Sequence, residues 1–170
     1  MNLEDAVSSA LALAGDGELA TSLKKQARRL QIDDRVRFLG YRRDVPDLIM
    51  AADLFVLPSC VEGLGTSLID AMLAARPIVT TSAGGIPDLL GGVEATEEPV
   101  AWVVPPRDPW RLAAAILEAL DSPEECRRRQ QRAEHRARRL FTADKMVEAT
   151  LAVYREVLDR VAPSRARCVA

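Results

Sequence analysis

Short apolar runs alternate with longer amphipathic stretches along this chain, a pattern that predicts strands and helices in turn. Residues 9–14 read as a strand stopped by Gly15-Asp16-Gly17, a strand-to-helix turn. A helix is expected over 18–30, with Leu19, Leu23, Ala27 and Leu30 at helical spacing. Residues 36–39 give a second strand closed by Gly40. Asp44 is placed to cap a short helix over 45–51, with Pro46 early enough that its missing N–H does no harm. Strands at 54–57, 78–81 and 101–104 alternate with a helix ending at Arg76-Pro77 and a short helix at 86–90. The remainder is helical: 109–120 with Asp108 as cap, 124–140 after the Asp121-Ser122-Pro123 break, and 144–161 with Met146, Leu151, Tyr154 and Leu158 inward. One domain is expected over 1–162 and a frayed tail over 163–170.

Short strands rich in branched residues between helices imply an α/β fold, a doubly wound parallel sheet covered on both faces. Such sheets take ligands past the carboxyl ends of their strands. The glycine turns at 15–17, 40, 63–65 and 84–85 all fall there. A single turn of this kind can be ordinary turn chemistry, which stays open for Gly15–Gly17, but four on one edge is a stronger signal.

The stretch from Pro58 to Met72 organises the rest. It reads as a strand end, a glycine-rich turn and the first turns of a helix, which aims unpaired N–H groups and the positive end of a helix dipole at whatever lies above. A phosphate suits that place. At roughly 100° per residue, Thr66, Ser67 and Asp70 share a polar side, and Leu68, Ile69, Met72 and Leu73 an apolar one. With Glu62 ahead of the helix and Asp70 within it, an anion site is flanked by two carboxylates able to accept from hydroxyls. That combination suits a sugar nucleotide. Either acid, taken alone, also reads as a favourable helix-start or solvated residue.

Composition narrows the choices. Only 4% of residues are aromatic and the net charge is -2, so neither a base-stacking platform nor a polyanion footprint is present, and no nucleic-acid partner is expected. Three scattered cysteines, Cys60, Cys126 and Cys168, lack metal-ligand spacing; a reducing cytoplasm is the expected setting. The acidic N-terminus does not resemble a signal peptide. The arginines of 124–140 would suit an anionic membrane surface, but Glu124, Glu125 and Glu134 each precede an arginine by four residues, which favours a solvated face. His135, the one histidine, reads as a surface residue.

With those residues in place, the chain resembles the C-terminal, donor-binding half of a retaining GT-B glycosyltransferase of family 4 (glycosyltransferase group 1). The motifs LALAGDGEL, RVRFLGYRRDVPDLIMAADLFVLPS, EGLGTSLIDAM, RPIVTTSAGGIPDLL and WVVPPRDPWRLAAAI occur in order over roughly residues 10–158. The resemblance implies a Rossmann-like fold and an enzyme that transfers a hexosyl group from a nucleotide-sugar donor with retention, in polysaccharide biosynthesis or a related path. It implies that Glu62, the first acid of the acid-x7-acid motif, is the catalytic residue holding donor-sugar hydroxyls. Gly63, Leu64, Gly65 and Thr66 approach sugar and diphosphate, and Asp70 the ribose. Tyr41 and Arg42, after Gly40, pass the nucleobase. Gly84 and Gly85, with Gly15 on the same edge, border the pocket. No cofactor and no divalent metal are implied. Alternatives are a catalytically incomplete sugar-nucleotide-binding module and, less favoured, a GT-B-like sugar-nucleotide epimerase, for which His135 is badly placed.

Departures accompany the match. Asp70 and Asp88 stand where the family usually has Glu, and Arg76 where it usually has the glycine that ends the helix. The family's C-terminal half also opens with a central strand and a basic segment that grips the diphosphate, and it works with an N-terminal acceptor domain. The expectation is a fragment or one subunit of a split enzyme, binding a donor weakly and transferring poorly without that partner.

Overall fold

The computed structural model of the chain describes residues 9–91 and 98–161. Its elements run β1 (Leu11–Ala14), α1 (Ala20–Arg29), β2 (Val36–Gly40), α2 (Val45–Ala51), β3 (Phe55–Leu57), α3 (Thr66–Leu73), β4 (Ile78–Thr81), α4 (Ile86–Leu90), β5 (Trp102–Val104), α5 (Pro109–Asp121), α6 (Pro123–Leu140) and α7 (Ala143–Val161). The strands pair in parallel, as helical crossovers require. They form two sheets, β1-β2 and β3-β4-β5. Among the described residues the expected single sheet is thus found in two pieces.

The core lies on β4, every residue of which is buried. Its side chains alternate between two layers, as a strand covered on both faces must. On one side Ile78 packs with Leu68, Ala71 and Met72 of α3, Ile86 and Leu89 of α4, and Ala133 and Ala137 of α6. On the other, Val79 packs with Trp102, Val104, Ala115 and Ala119, the last two on α5. Each large aliphatic side chain buried here contributes about 1.5–3 kcal/mol. The hydroxyls on β4 are satisfied by donating to backbone: Thr80 Oγ1 to the Leu57 carbonyl at 3.0 Å and Thr81 Oγ1 to the Ser59 carbonyl at 2.6 Å.

Several expectations need correction. Leu73 is exposed and Ala71 takes its place in the core, because the buried side of α3 is centred between Leu68 and Met72. The positive φ at the end of α3 falls on Ala75 (φ 48°), not Arg76. Arg76 N–H donates to the Ala71 carbonyl and Ala75 N–H to the Met72 carbonyl, the paired bonds of a Schellman ending. Asp44 precedes α2 but makes no side-chain cap, since Arg42 occupies its carboxylate. Asp108 does cap α5, accepting from the Arg111 N–H at 3.0 Å. On α7, Met146, Leu151, Tyr154 and Leu158 are exposed rather than inward, and no described residue of that helix is buried.

Arg128, Arg129 and Arg138 of α6 pair with glutamates one turn earlier, as the spacing predicts. Arg129, Arg132 and Arg136 also reach carbonyls of distant chain: Ala101 at 2.9 Å, Pro99 at 2.8 Å and Leu89 at 2.9 Å. Arg129 also lies 3.9 Å from the centre of the Trp102 ring and bonds Glu125 at 2.8 Å. That bond holds the Glu125 carboxyl below the usual range. These three residues staple α6 onto the chain around β5 and α4, a use the solvated-face reading did not contain. The lead over 1–8 and the tail expected over 163–170 lie outside the described residues.

Candidate functional site

The loop from Ser59 to Gly65 leaves the carboxyl end of β3 and delivers the chain to the N-terminus of α3. Gly65 sits at the helix start with φ 69°, a left-handed conformation that a side chain would strain. No side chain caps α3. Leu68 N–H turns back to the Gly65 carbonyl at 2.8 Å, so the Thr66 and Ser67 N–H groups at the helix mouth have no partner within the helix.

A second turn closes on this loop from the end of β4. Gly85 N–H donates to the Gly63 carbonyl at 3.1 Å. A Cβ on Gly84 would lie 1.7 Å from the Glu62 carbonyl oxygen, and one on Gly85 would lie 2.2 Å from that of Gly63. Only glycine allows so close an approach of two backbones. The spacing of the motifs did not reveal this contact; it appears only once β3 and β4 pair side by side.

Glu62 is half-buried at the junction. Its Oε2 accepts from Ser59 Oγ at 3.0 Å and its Oε1 from the Gly63 N–H at 3.2 Å. The Gly65 turn passes the Glu62 stem, a Cβ on Gly65 being 3.5 Å from Glu62 Cγ. The motif spacing did not single out Ser59, whose hydroxyl bonds this carboxylate, or Thr81, whose Oγ1 donates to the Ser59 carbonyl; the available signal was a serine three residues before the acid. Gly63, Leu64, Thr66 and Asp70 are exposed around the helix mouth.

The other sequence-predicted residues gather separately. Gly15 N–H donates to the Gly40 carbonyl at 2.8 Å, joining the turns after β1 and β2. Next to Gly40, Tyr41 is 74% exposed, leaving its ring open to a stacking partner. Arg42 is held by Asp44 through bonds of 2.8 and 2.5 Å, which lower the Asp44 carboxyl and raise the guanidinium. The structure thus assembles the glycine turns in two pairs, Gly15 with Gly40 and Glu62–Gly65 with Gly84–Gly85. Among the described residues no group of three or more His, Cys, Asp or Glu side chains is gathered to hold a metal ion.

Comparison with known proteins bears on this edge. The family described as glycosyl transferases group 1 matches residues 3–122. The chain is similar to the N-acetyl-alpha-D-glucosaminyl L-malate synthase of Bacillus anthracis, 29% identical over 152 residues that cover 89% of this chain and 39% of that protein. It is 32% identical over 146 residues to the glycogen synthase of Mycobacterium tuberculosis, covering 85% of this chain and 34% of that one. The chain therefore spans well under half the length of these relatives. Among solved structures, Anabaena Alr3699/HepE in complex with UDP superposes with a TM-score of 0.74 at 26% identity, and its complex with UDP-glucose with 0.73 at 28%; each match covers 85% of this chain and 41% of that one.

Proposed function

We propose, for a chain that belongs to the glycosyl transferases group 1 family, that it is the donor-nucleotide half of an enzyme moving a hexosyl group from a nucleoside-diphosphate sugar to an acceptor with retention of configuration. The fold is Rossmann-like, of the kind that forms the C-terminal half of GT-B enzymes. One observation carries the donor reading: Gly84–Gly85 closes against Glu62–Gly63 beside the uncapped mouth of α3. Free N–H groups and the helix dipole there favour a pyrophosphate, and they are already oriented before it arrives. The complexes of the Anabaena protein with UDP and UDP-glucose support a nucleotide-sugar donor.

Within this reading Glu62 is the catalytic residue. Its carboxylate accepts from hexose hydroxyls and stabilises positive charge developing at the anomeric carbon. The backbone of Gly63, Leu64, Gly65 and Thr66 faces the sugar and diphosphate, and Asp70 accepts from the ribose. Tyr41 and Arg42 border the base, and Gly15, Gly84 and Gly85 the pocket. The helix mouth offsets the charge on the departing diphosphate, and the reading uses no divalent metal. We place the enzyme in the cytoplasm, working with an acceptor-binding domain or subunit. Among the described residues no helix is long and apolar enough to cross a membrane.

Titration calorimetry with UDP-glucose, GDP-mannose and ADP-glucose tests the reading. The expected result is binding of one of them, with Glu62→Ala weakening the sugar nucleotide about tenfold more than the matching free nucleoside diphosphate. Transfer appears once the acceptor-binding part is supplied. Binding of none of the three overturns the reading.

A further inference from the structure

We propose that Ser59 is the positioning residue for Glu62, and that Thr81 fixes Ser59 in turn; the inference rests on the donor reading above. Ser59 Oγ donates to Glu62 Oε2 at 3.0 Å. The Ser59 carbonyl accepts from Thr81 Oγ1 at 2.6 Å, and Thr81 is buried at the end of β4, the one described strand whose every residue is buried. A connected chain of short bonds therefore runs from the core to the carboxylate: Thr81, the Ser59 backbone, the Ser59 hydroxyl, Glu62.

The carboxylate has few other restraints. It makes no ion pair among the described residues, and its second oxygen is held only by the neighbouring Gly63 N–H at 3.2 Å. A glutamate has three side-chain torsions, and ordering such a side chain costs rotamer entropy. A carboxylate that must meet sugar hydroxyls at fixed places gains when that entropy is lost in folding rather than on binding. The Ser59 bond occupies one lone pair of Oε2 and leaves the remaining acceptor sites of both oxygens for the sugar. Ser59 and Thr81 touch no part of the donor in this account; they act through Glu62.

The test compares UDP-glucose with UDP on the full chain. Ser59→Ala is expected to weaken UDP-glucose about tenfold while UDP changes less than about twofold, because the lost bond orients only the group that meets the sugar. Ser59→Thr, which keeps the hydroxyl, is expected to restore most of the affinity. Thr81→Val is expected to shift the same ratio in the same direction by a smaller factor. In the ligand-free chain, the Gly63 amide resonance should move in Ser59→Ala and return in Ser59→Thr. Equal weakening of UDP and UDP-glucose by Ser59→Ala, or no weakening, overturns the proposal while leaving the donor reading intact. Where GDP-mannose or ADP-glucose is the donor that binds, the same comparison is made with it and its free nucleoside diphosphate; a wild-type chain that binds none of the three overturns both readings, and an unmoved Gly63 amide overturns the hold of Ser59 on Glu62 irrespective of any ligand.

Discussion

The β1-α1-β2 unit and the β3-α3-β4 unit have the same design, two parallel strands joined by a helix, yet they are packed very differently. In β4 every residue is buried, and α3 contributes three fully buried side chains. In β1 three of four residues are exposed, and α1 buries only Ala27. Each unit ends in a glycine turn at the carboxyl edge. In the second unit the turns are pressed together, Gly84 against Glu62; in the first a Cβ on Gly15 or Gly40 meets nothing within 4 Å. Local pattern is thus enough to make a βαβ unit, but a rigid ligand edge needs a core beneath it. The carboxylate expected to meet the sugar is anchored in the packed unit, and the residues expected near the base are in the open one.

Paired substitutions, one in each unit, sharpen that contrast. The largest difference is expected at the turns. Gly84→Ala drives a methyl into the Glu62 carbonyl in a left-handed conformation and should cost about 3 kcal/mol or more, with loss of donor binding. Gly40→Ala has only the conformational penalty, about 1–2 kcal/mol. Chemical denaturation of both variants measures the gap; equal costs would erase the distinction between the two units.

Next comes side-chain truncation. Met72→Ala, at a fully buried position, should cost about 2–5 kcal/mol, whereas Leu11→Ala, 48% exposed, should cost less than about 1 kcal/mol. The same denaturation curves read both values.

Helix endings give a smaller effect of opposite sign. Gln31 after α1 (φ 56°) and Ala75 after α3 (φ 48°) are non-glycine residues at the left-handed position of Schellman endings. Gln31→Gly and Ala75→Gly should each stabilise by up to about 1 kcal/mol. A loss in either variant would show that the side chain makes contacts worth more than the strain.

The smallest effect is a pH dependence in the open unit. Arg42 lowers the Asp44 carboxyl chiefly through its side-chain hydrogen bonds. A carboxyl depressed on folding contributes stability above its unfolded value, about pH 4, and loses it as pH falls through the folded value. A slight decline below about pH 4 that vanishes in Asp44→Asn is expected, and it should stay slight because the pair is exposed. Thermal melts between pH 3 and 6 read it.

Most of this architecture was legible from residue order. The alternation of apolar runs placed the five strands and seven helices of the described residues, because periodicity reports which side of an element is buried. Glycines at 63, 65, 84 and 85 marked the edge that the structure assembles. What remained hidden depends on neighbours distant in sequence. Arg129, Arg132 and Arg136 looked like surface charge, since nothing local indicates that the carbonyls at 101, 99 and 89 lie within reach. Met146 and Leu158 looked like core, since an amphipathic stripe states that a face is apolar and not what covers it. Ser59 and Thr81 were silent for the same reason: their bond crosses from the end of one strand to its neighbour.

The most direct measurement is a map of backbone amide shifts as UDP-glucose, GDP-mannose and ADP-glucose are added in turn to the isotope-labelled chain, read for the one that binds. The account predicts that the largest changes fall on Gly63, Leu64, Gly65, Thr66, Gly84 and Gly85, with weaker ones at Tyr41 and Arg42. Changes centred instead on the hollow of about 320 Å³ lined by Trp102, Arg111, Glu118 and Arg129, or none at the mouth of α3, would contradict it.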